Sequence, residues 1–173
     1  MTSKTKQDAD YLAAVEQYGF ALQRLARAAE ADAERQYDLL QDIHLALWQS
    51  FALFDDRCSV GTWVFRVAHN ATASYVYREK RHHGKPNVHV DTDQMPDSLC
   101  LESVMADSDA LEQLYRWIRS LKPLDSQVMT LYLEELAAKD IADITGLTAG
   151  AVATRISRLK KQLADEFEEI NHG

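Results

Sequence analysis

The sequence predicts an all-α protein, built as two small helical domains joined by a flexible acidic linker. Three observations carry this expectation. Apolar residues recur at spacings of three and four along most of the chain, the period of a helix with one buried face. Only three prolines and six glycines occur in 173 residues, and β-branched runs are absent. One polar stretch, His82 to Leu99, collects Gly84, Pro86, Pro96 and several acids, and is too polar to build a core. It divides the chain into a domain over 1–86, a linker over 87–107 and a domain over 108–173.

Each helix can be justified in turn. Residues 11–32 place Tyr11, Val15, Tyr18 or Gly19, Leu22 and Leu25 on one face. Residues 36–51 repeat the pattern with Leu39, Leu40, Ile43, Leu47, Trp48 and Phe51. Phe54 to Gly61 is a break with two acids, an arginine and a glycine. A third helix is expected from Thr62 to Arg81, with Thr62 as its cap. The second domain starts near Ser108, with an apolar stripe of Leu111, Leu114, Trp117, Ile118 and Leu121. Lys122-Pro123-Leu124-Asp125 ends that helix and opens the next, through Val128, Leu131 and Leu133. Two further helices, Ala137 to Thr145 and Ala149 to about Glu168, flank Gly146-Leu147-Thr148.

Composition narrows the function. Apolar residues are 46% and charged residues 27% of the chain, close to globular averages. No apolar run approaches the roughly 20 residues of a membrane span. Met1 to Asp10 is polar and lacks the apolar core of a secretion signal. A cytoplasmic protein without membrane insertion is therefore expected, with Cys58 and Cys100 reduced. The net charge of −8 disfavours a uniformly basic nucleic-acid binder. The cations are nevertheless clustered. Residues 62–85 hold Arg66, Arg78, Lys80, Arg81 and Lys85 against Glu79 alone, and residues 149–163 hold Arg155, Arg158, Lys160 and Lys161 with no acid. Solvated helix faces would account for such stripes by charge alone; two separate anion contacts are the alternative.

The segment Ala137 to Leu163 decides for the second. A helix-turn-helix needs a short first helix, a tight turn and a second helix whose outer face enters the major groove. Ile141 and Ile144 supply the first apolar face. Gly146 suits a reversal at positive φ, Leu147 packs inward, and Thr148 can cap the second helix. Val152, Ile156, Leu159 and Leu163 fix the buried face of that helix. Thr148, Ala149, Gly150, Ala151, Thr154, Arg155, Arg158 and Lys161 are then the expected DNA-facing residues. Small residues come first and let the helix start approach DNA, with backbone N–H groups near phosphate. The arginines follow, able to grip guanine or phosphate.

Three motifs in order carry a family resemblance. Asp38-Leu39-Leu40-Gln41-Asp42-Ile43-His44-Leu45-Ala46-Leu47-Trp48 resembles the core-polymerase-binding helix of sigma-70 family factors. Thr62-Trp63-Val64-Phe65-Arg66-Val67-Ala68-His69-Asn70 looks like the start of their −10 promoter helix. Thr148-Ala149-Gly150-Ala151-Val152-Ala153-Thr154-Arg155-Ile156-Ser157-Arg158 is similar to their −35 recognition helix. The order, the spacing and the short linker resemble the extracytoplasmic-function group, over residues 11–165. The resemblance implies a transcription initiation factor with no catalytic activity and no cofactor, whose partners are core RNA polymerase and promoter DNA. It also admits an anti-sigma protein packed around the two halves.

By this resemblance Asp38, Leu39, Gln41, Asp42, His44, Leu45 and Trp48 grip the polymerase clamp. His44 departs from the family pattern, which has an aromatic residue near there. Arg57 and Ser59 lie in the loop that captures a flipped −10 base. Arg66, Asn70, Tyr77 and Arg81 continue that surface at helical spacing, and Arg78 and Lys80 flank it. A face mixing cations, an amide and a ring suits unstacked bases, each worth about 1–3 kcal/mol when stacked on an aromatic residue. Trp63 fits the apolar pattern better than a stacking role. His82, His83, His89 and Cys100 invite a zinc site, but they lack ligand spacing, and no metal is expected. Cys58 beside Arg57 could serve as a redox sensor. A stand-alone regulator binding a palindromic operator is the alternative reading of the second domain.

Overall fold

The computed structural model describes residues 2–83 and 101–172, with side chains for 4–82 and 108–168. Every regular element among them is helical. The first half comprises α1 (Thr2–Ala29), α2 (Ala33–Ser50), a short 3₁₀ turn (Phe51–Leu53) and α3 (Val60–His83). The second comprises α4 (Leu101–Ser120), α5 (Pro123–Leu133), α6 (Ala138–Thr145) and α7 (Ala149–His172).

The periodic stripes become the core. Leu22 and Leu25 of α1 meet Leu39, Ile43 and Leu47 of α2 and Val64, Phe65 and Ala68 of α3, all buried. Asp32 caps α2, its carboxylate accepting from the Arg35 N–H at 2.9 Å. Ser59, rather than Thr62, caps α3: its Oγ accepts from the Thr62 N–H at 3.1 Å, and the helix begins two residues earlier than expected. Trp63 packs against the first core, beside Phe54, and its indole N–H donates to Ser50 Oγ at 3.0 Å, as its apolar spacing implied.

Two further boundaries differ from the sequence expectation. Helix α1 begins at Thr2, so the polar start of the chain is helical. It is anchored by cross-helix hydrogen bonds: the Gln7 amide donates to the Trp48 carbonyl at 2.7 Å, and the Trp48 indole donates to Asp8 at 2.8 Å. These contacts carry no apolar signature, so periodicity could not reveal them. Helix α4 begins at Leu101, which places 101–107 in helix rather than in the expected linker 87–107. Residues 84–100 lie outside the described residues.

The two halves are packed together. Leu22 and its neighbours share one buried cluster with Val128, Leu131, Ile141, Ile144 and Val152 of the second half. Ala28, at the end of α1, enters the cluster built by Ile118, Met129 and Leu159. Polar contacts reinforce the junction. Arg24 forks onto Glu134 with two hydrogen bonds of 2.6 Å. Glu112 receives Arg27 at 2.9 Å and Arg119 at 2.7 Å, and Arg119 also donates to the Arg27 carbonyl at 2.9 Å. The Arg27 guanidinium lies 4.7 Å from the centre of the Tyr115 ring. On the α3 side, buried His69 Nδ1 and Thr72 Oγ1 have no hydrogen-bond partner among the described residues.

Candidate nucleic-acid interface

The helix-turn-helix takes the predicted form. Ile141, Ala142 and Ile144 bury one face of α6, and Gly146 closes it in the left-handed region at φ 77°. Its N–H returns to the Ala142 carbonyl at 2.9 Å. Leu147 packs against the core. Thr148 then caps α7, its Oγ1 accepting from the Ala151 N–H at 3.2 Å. Val152, Ile156 and Leu159 bury the inner face of α7. The outer face starts with exposed Thr148, Ala149 and Gly150, and space in front of Gly150 is open. Thr154 is exposed, with its hydroxyl donating back to the Gly150 carbonyl at 3.0 Å. Ala151 is half-buried and Lys161 exposed.

Arg155 and Arg158 share this face, yet both reach an acid that the sequence reading left out. Asp125, in the first turn of α5, is buried. One carboxylate oxygen takes Arg155 Nη1 and the other takes Arg158 Nη2, the latter at 2.9 Å. The Arg155 side chain is 31% exposed and that of Arg158 is 53%. In the sequence, Asp125 reads only as a first-turn acid after Pro123, favourable to the helix dipole. Nothing local signals that it meets side chains thirty residues away.

The second surface lies on α3. Asn70, Tyr77, Arg78, Lys80 and Arg81 are exposed, and Arg66 is half-buried. The Arg81 guanidinium stands 5.9 Å from the Tyr77 ring centre, within cation–π range. Of the preceding loop, Arg57 pairs with Asp55 at 2.8 Å while remaining 88% exposed. Asp56 adopts φ 59° beside it. The Ser59 hydroxyl is engaged in capping α3, and Cys58 is a half-buried free thiol.

The third surface, on α2, presents exposed Asp38, Gln41, Asp42 and Leu45. Leu39 does not belong to it. Leu39 is 0% exposed, on the opposite face with Ile43 and Leu47, so the expectation that it contacts polymerase gives way to a core role. His44 and Trp48 are half-buried beneath the first turns of α1. Tyr11 Oη and His44 Nδ1 are 3.0 Å apart, and burial pushes the His44 imidazole below its usual value. This contact answers why a histidine stands there: it joins α2 to α1. Arg78 and Asp42, 2.8 Å apart, bridge the second and third surfaces.

Among the described residues no cluster of three or more histidine, cysteine, aspartate or glutamate side chains could hold a metal. The side chains of His83, His89 and Cys100, invoked for zinc, lie outside them. No described helix is long and apolar enough to cross a membrane.

Comparison with known proteins bears on both halves. Residues 14–82 match the family model of sigma-70 region 2, and residues 111–163 match that of sigma-70 region 4. The chain is 26% identical over 156 residues to the ECF RNA polymerase sigma factor SigM of Mycobacterium tuberculosis, covering 88% of this chain and 74% of that one. It is 24% identical over 140 residues to the ECF RNA polymerase sigma factor SigW of Bacillus subtilis, covering 74% and 75%. Its fold is similar to that of CnrH solved in complex with the cytosolic domain of CnrY, with a TM-score of 0.69 at 20% identity over 96% of this chain and 93% of that one. With a region 2 and a region 4 in family order, the chain belongs to the sigma-70 family as an extracytoplasmic-function RNA polymerase sigma factor.

Proposed function

We propose that this sigma factor divides its task among the three surfaces. The exposed acids of α2 hold core polymerase. Helix α3 and the loop before it take the −10 element, and α7 enters the major groove at the −35 element. Polymerase supplies all the chemistry, which places the factor in the cytoplasm. The observation that carries the reading is the α6–Gly146–Thr148–α7 unit: a left-handed turn, a side-chain cap, and a small-then-cationic exposed face on one continuous helix.

The packed arrangement must open for this work. Elements centred near −10 and −35 are separated by about 85 Å of B-DNA at 3.4 Å per base pair. A folded chain of this length is roughly 40 Å across. The two readers, joined through α3, α5 and α6, cannot span that distance while they share a core. An anti-sigma protein that favours the closed form would silence the factor. CnrH, which has a similar fold, was solved in complex with the cytosolic domain of CnrY, so a fold of this kind can carry a protein partner.

Runoff transcription with reconstituted holoenzyme tests the reading. Arg155→Ala or Arg158→Ala should weaken use of matched −35 elements, since a bidentate base contact carries about 1–3 kcal/mol of discrimination. A contact to phosphate alone would weaken all promoters alike and flatten the salt dependence. Full promoter-directed transcription by both variants would refute the assignment of α7. Binding of a palindromic operator without polymerase would instead mark a stand-alone regulator.

A further inference from the structure

We propose that Asp125 is a specificity-determining positioning residue, which holds the Arg155 and Arg158 guanidiniums in the orientation that reads the −35 element. The inference rests on the reading of α7 as the −35 helix, and goes beyond it by assigning a role on α5.

The geometry is a shared clamp. Arg155 and Arg158 are three residues apart on α7, one helical turn, and so lie on one face. Asp125 presents one oxygen to each. Its side chain is only 11% exposed, whereas Arg158 is 53% exposed. A guanidinium has five donors in a fixed plane. The contact to Asp125 engages one terminal nitrogen of each, and the two side chains remain 31% and 53% exposed. A long side chain that would otherwise sample many rotamers is thereby aimed before DNA arrives, which lowers the ordering cost of binding. Two cations on one carboxylate also leave a net positive charge on the face.

Asp125 does not serve merely as a counter-charge that keeps the arginines from DNA. A competing acid would be most effective in the plane of approach. This one is only 11% exposed in the first turn of α5, and it forms with Lys122, Arg158 and Gln162 the lining of an open groove of about 300 Å³. The acid thus fixes the arginines from the protein side and leaves the outer side to a ligand.

The test uses full-length Asp125→Asn, alone and in cycle with Arg158→Lys, as holoenzyme on matched and substituted −35 elements. Asparagine keeps the shape but offers only one acceptor oxygen. Expected is a drop of about ten-fold in the matched-to-substituted ratio, within the range a bidentate base contact supplies. Binding to unrelated DNA at low salt should hold or rise. The salt slope should steepen by up to about one, because a released arginine becomes a mobile phosphate contact. Arg158→Lys keeps the charge, lacks the planar fork and leaves α5 untouched; it should lose discrimination to a similar extent. The double variant should be no worse than either single one. Asp125→Glu should restore part of the ratio.

Three outcomes would overturn the proposal: an unchanged ratio in Asp125→Asn, an equal loss on all DNA with no coupling to Arg158, or a rise in matched-promoter use at constant ratio. The last would make Asp125 a competitor of DNA. If Arg155→Ala and Arg158→Ala also leave promoter use intact, the reading of α7 itself fails, and the two failures are thereby told apart.

Discussion

The Arg24–Glu134 fork offers a direct measure of how tightly the closed form is held. Both guanidinium–carboxylate bonds are 2.6 Å, and they join α1 to the end of α5. The Glu134 side chain is 9% exposed and that of Arg24 is 52%. An exposed ion pair contributes about 0–1 kcal/mol. Bidentate geometry and a shielded carboxylate raise this, and the half-exposed arginine brings it back to about 1 kcal/mol. In a closed–open equilibrium 1 kcal/mol is about five-fold. Arg24→Met keeps the apolar stem but strands the carboxylate, so it should act more strongly than Glu134→Gln. Labels on the two halves, read by energy transfer in the free factor, should show the open population rising about five-fold in Glu134→Gln and further in Arg24→Met. The double-mutant cycle should give a coupling near 1 kcal/mol that shrinks as salt is raised. The rate of association with core polymerase should rise in step. A coupling below about 0.3 kcal/mol, or faster association with no change in open population, would refute the argument that this pair holds the halves together.

Further substitutions separate causes that contact inspection alone would merge. Gly146→Ala meets nothing within 4 Å, so its cost is the positive φ alone, about 1 kcal/mol, and Gly146→Asn should recover much of it in urea melts. Gly61→Ala has a comparable expected cost, about 1 kcal/mol, by another route: the new methyl would sit 2.8 Å from Tyr18 Oη and disturb the Tyr18–Phe65 edge contact, so asparagine should not rescue it. Tyr75→Phe removes the 2.6 Å bond from the buried phenol to Glu30 and should lower stability by about 1–2 kcal/mol. Stability should also fall on acidification. Burial lowers the pKa of both His44 and His69, so the unfolded chain binds protons first. Their contribution is present above the unfolded value of about 6.5 and is lost as pH falls below it and through the depressed folded values. Denaturant melts at pH 8 and pH 5.5 should show the drop, and His44→Gln with His69→Gln should reduce it.

Local order was legible in the sequence wherever it is written in consecutive residues. The stripes through Leu39, Ile43 and Leu47 and through Val152, Ile156 and Leu159 are buried as their spacing requires. Gly146 and Thr148 occupy the turn and the cap because few other residues suit those positions. What periodicity could not supply is the partner of each stripe. A face that is apolar for α3 or α6 looks the same whether it packs within its own half or against the other. The fusion of the two halves therefore came only from the structure, as did the polar tie of α1 onto Trp48. The polymerase-facing set shows the same limit within one helix: a motif match carried Leu39 along with its exposed neighbours, although its own spacing puts it in the core.

The arginines counted as a DNA footprint also change meaning once their neighbours are seen. Arg155 and Arg158 face Asp125, Arg78 faces Asp42, and Arg57 faces Asp55. A cation already paired brings less uncompensated charge to phosphate, and the net gain in affinity is smaller than for an unpaired one. What the pairing preserves is direction: a guanidinium held on one edge can still donate from the other. A chain of net charge −8 built this way gains little from DNA at large and more from the sequence whose acceptors match the held donors. Weak binding by the free factor and selective binding by the holoenzyme are therefore the expected outcome of the same contacts. Under the proposed assignment, polymerase docking supplies the proximity that the factor's own charge does not, and the paired arginines supply the choice of site.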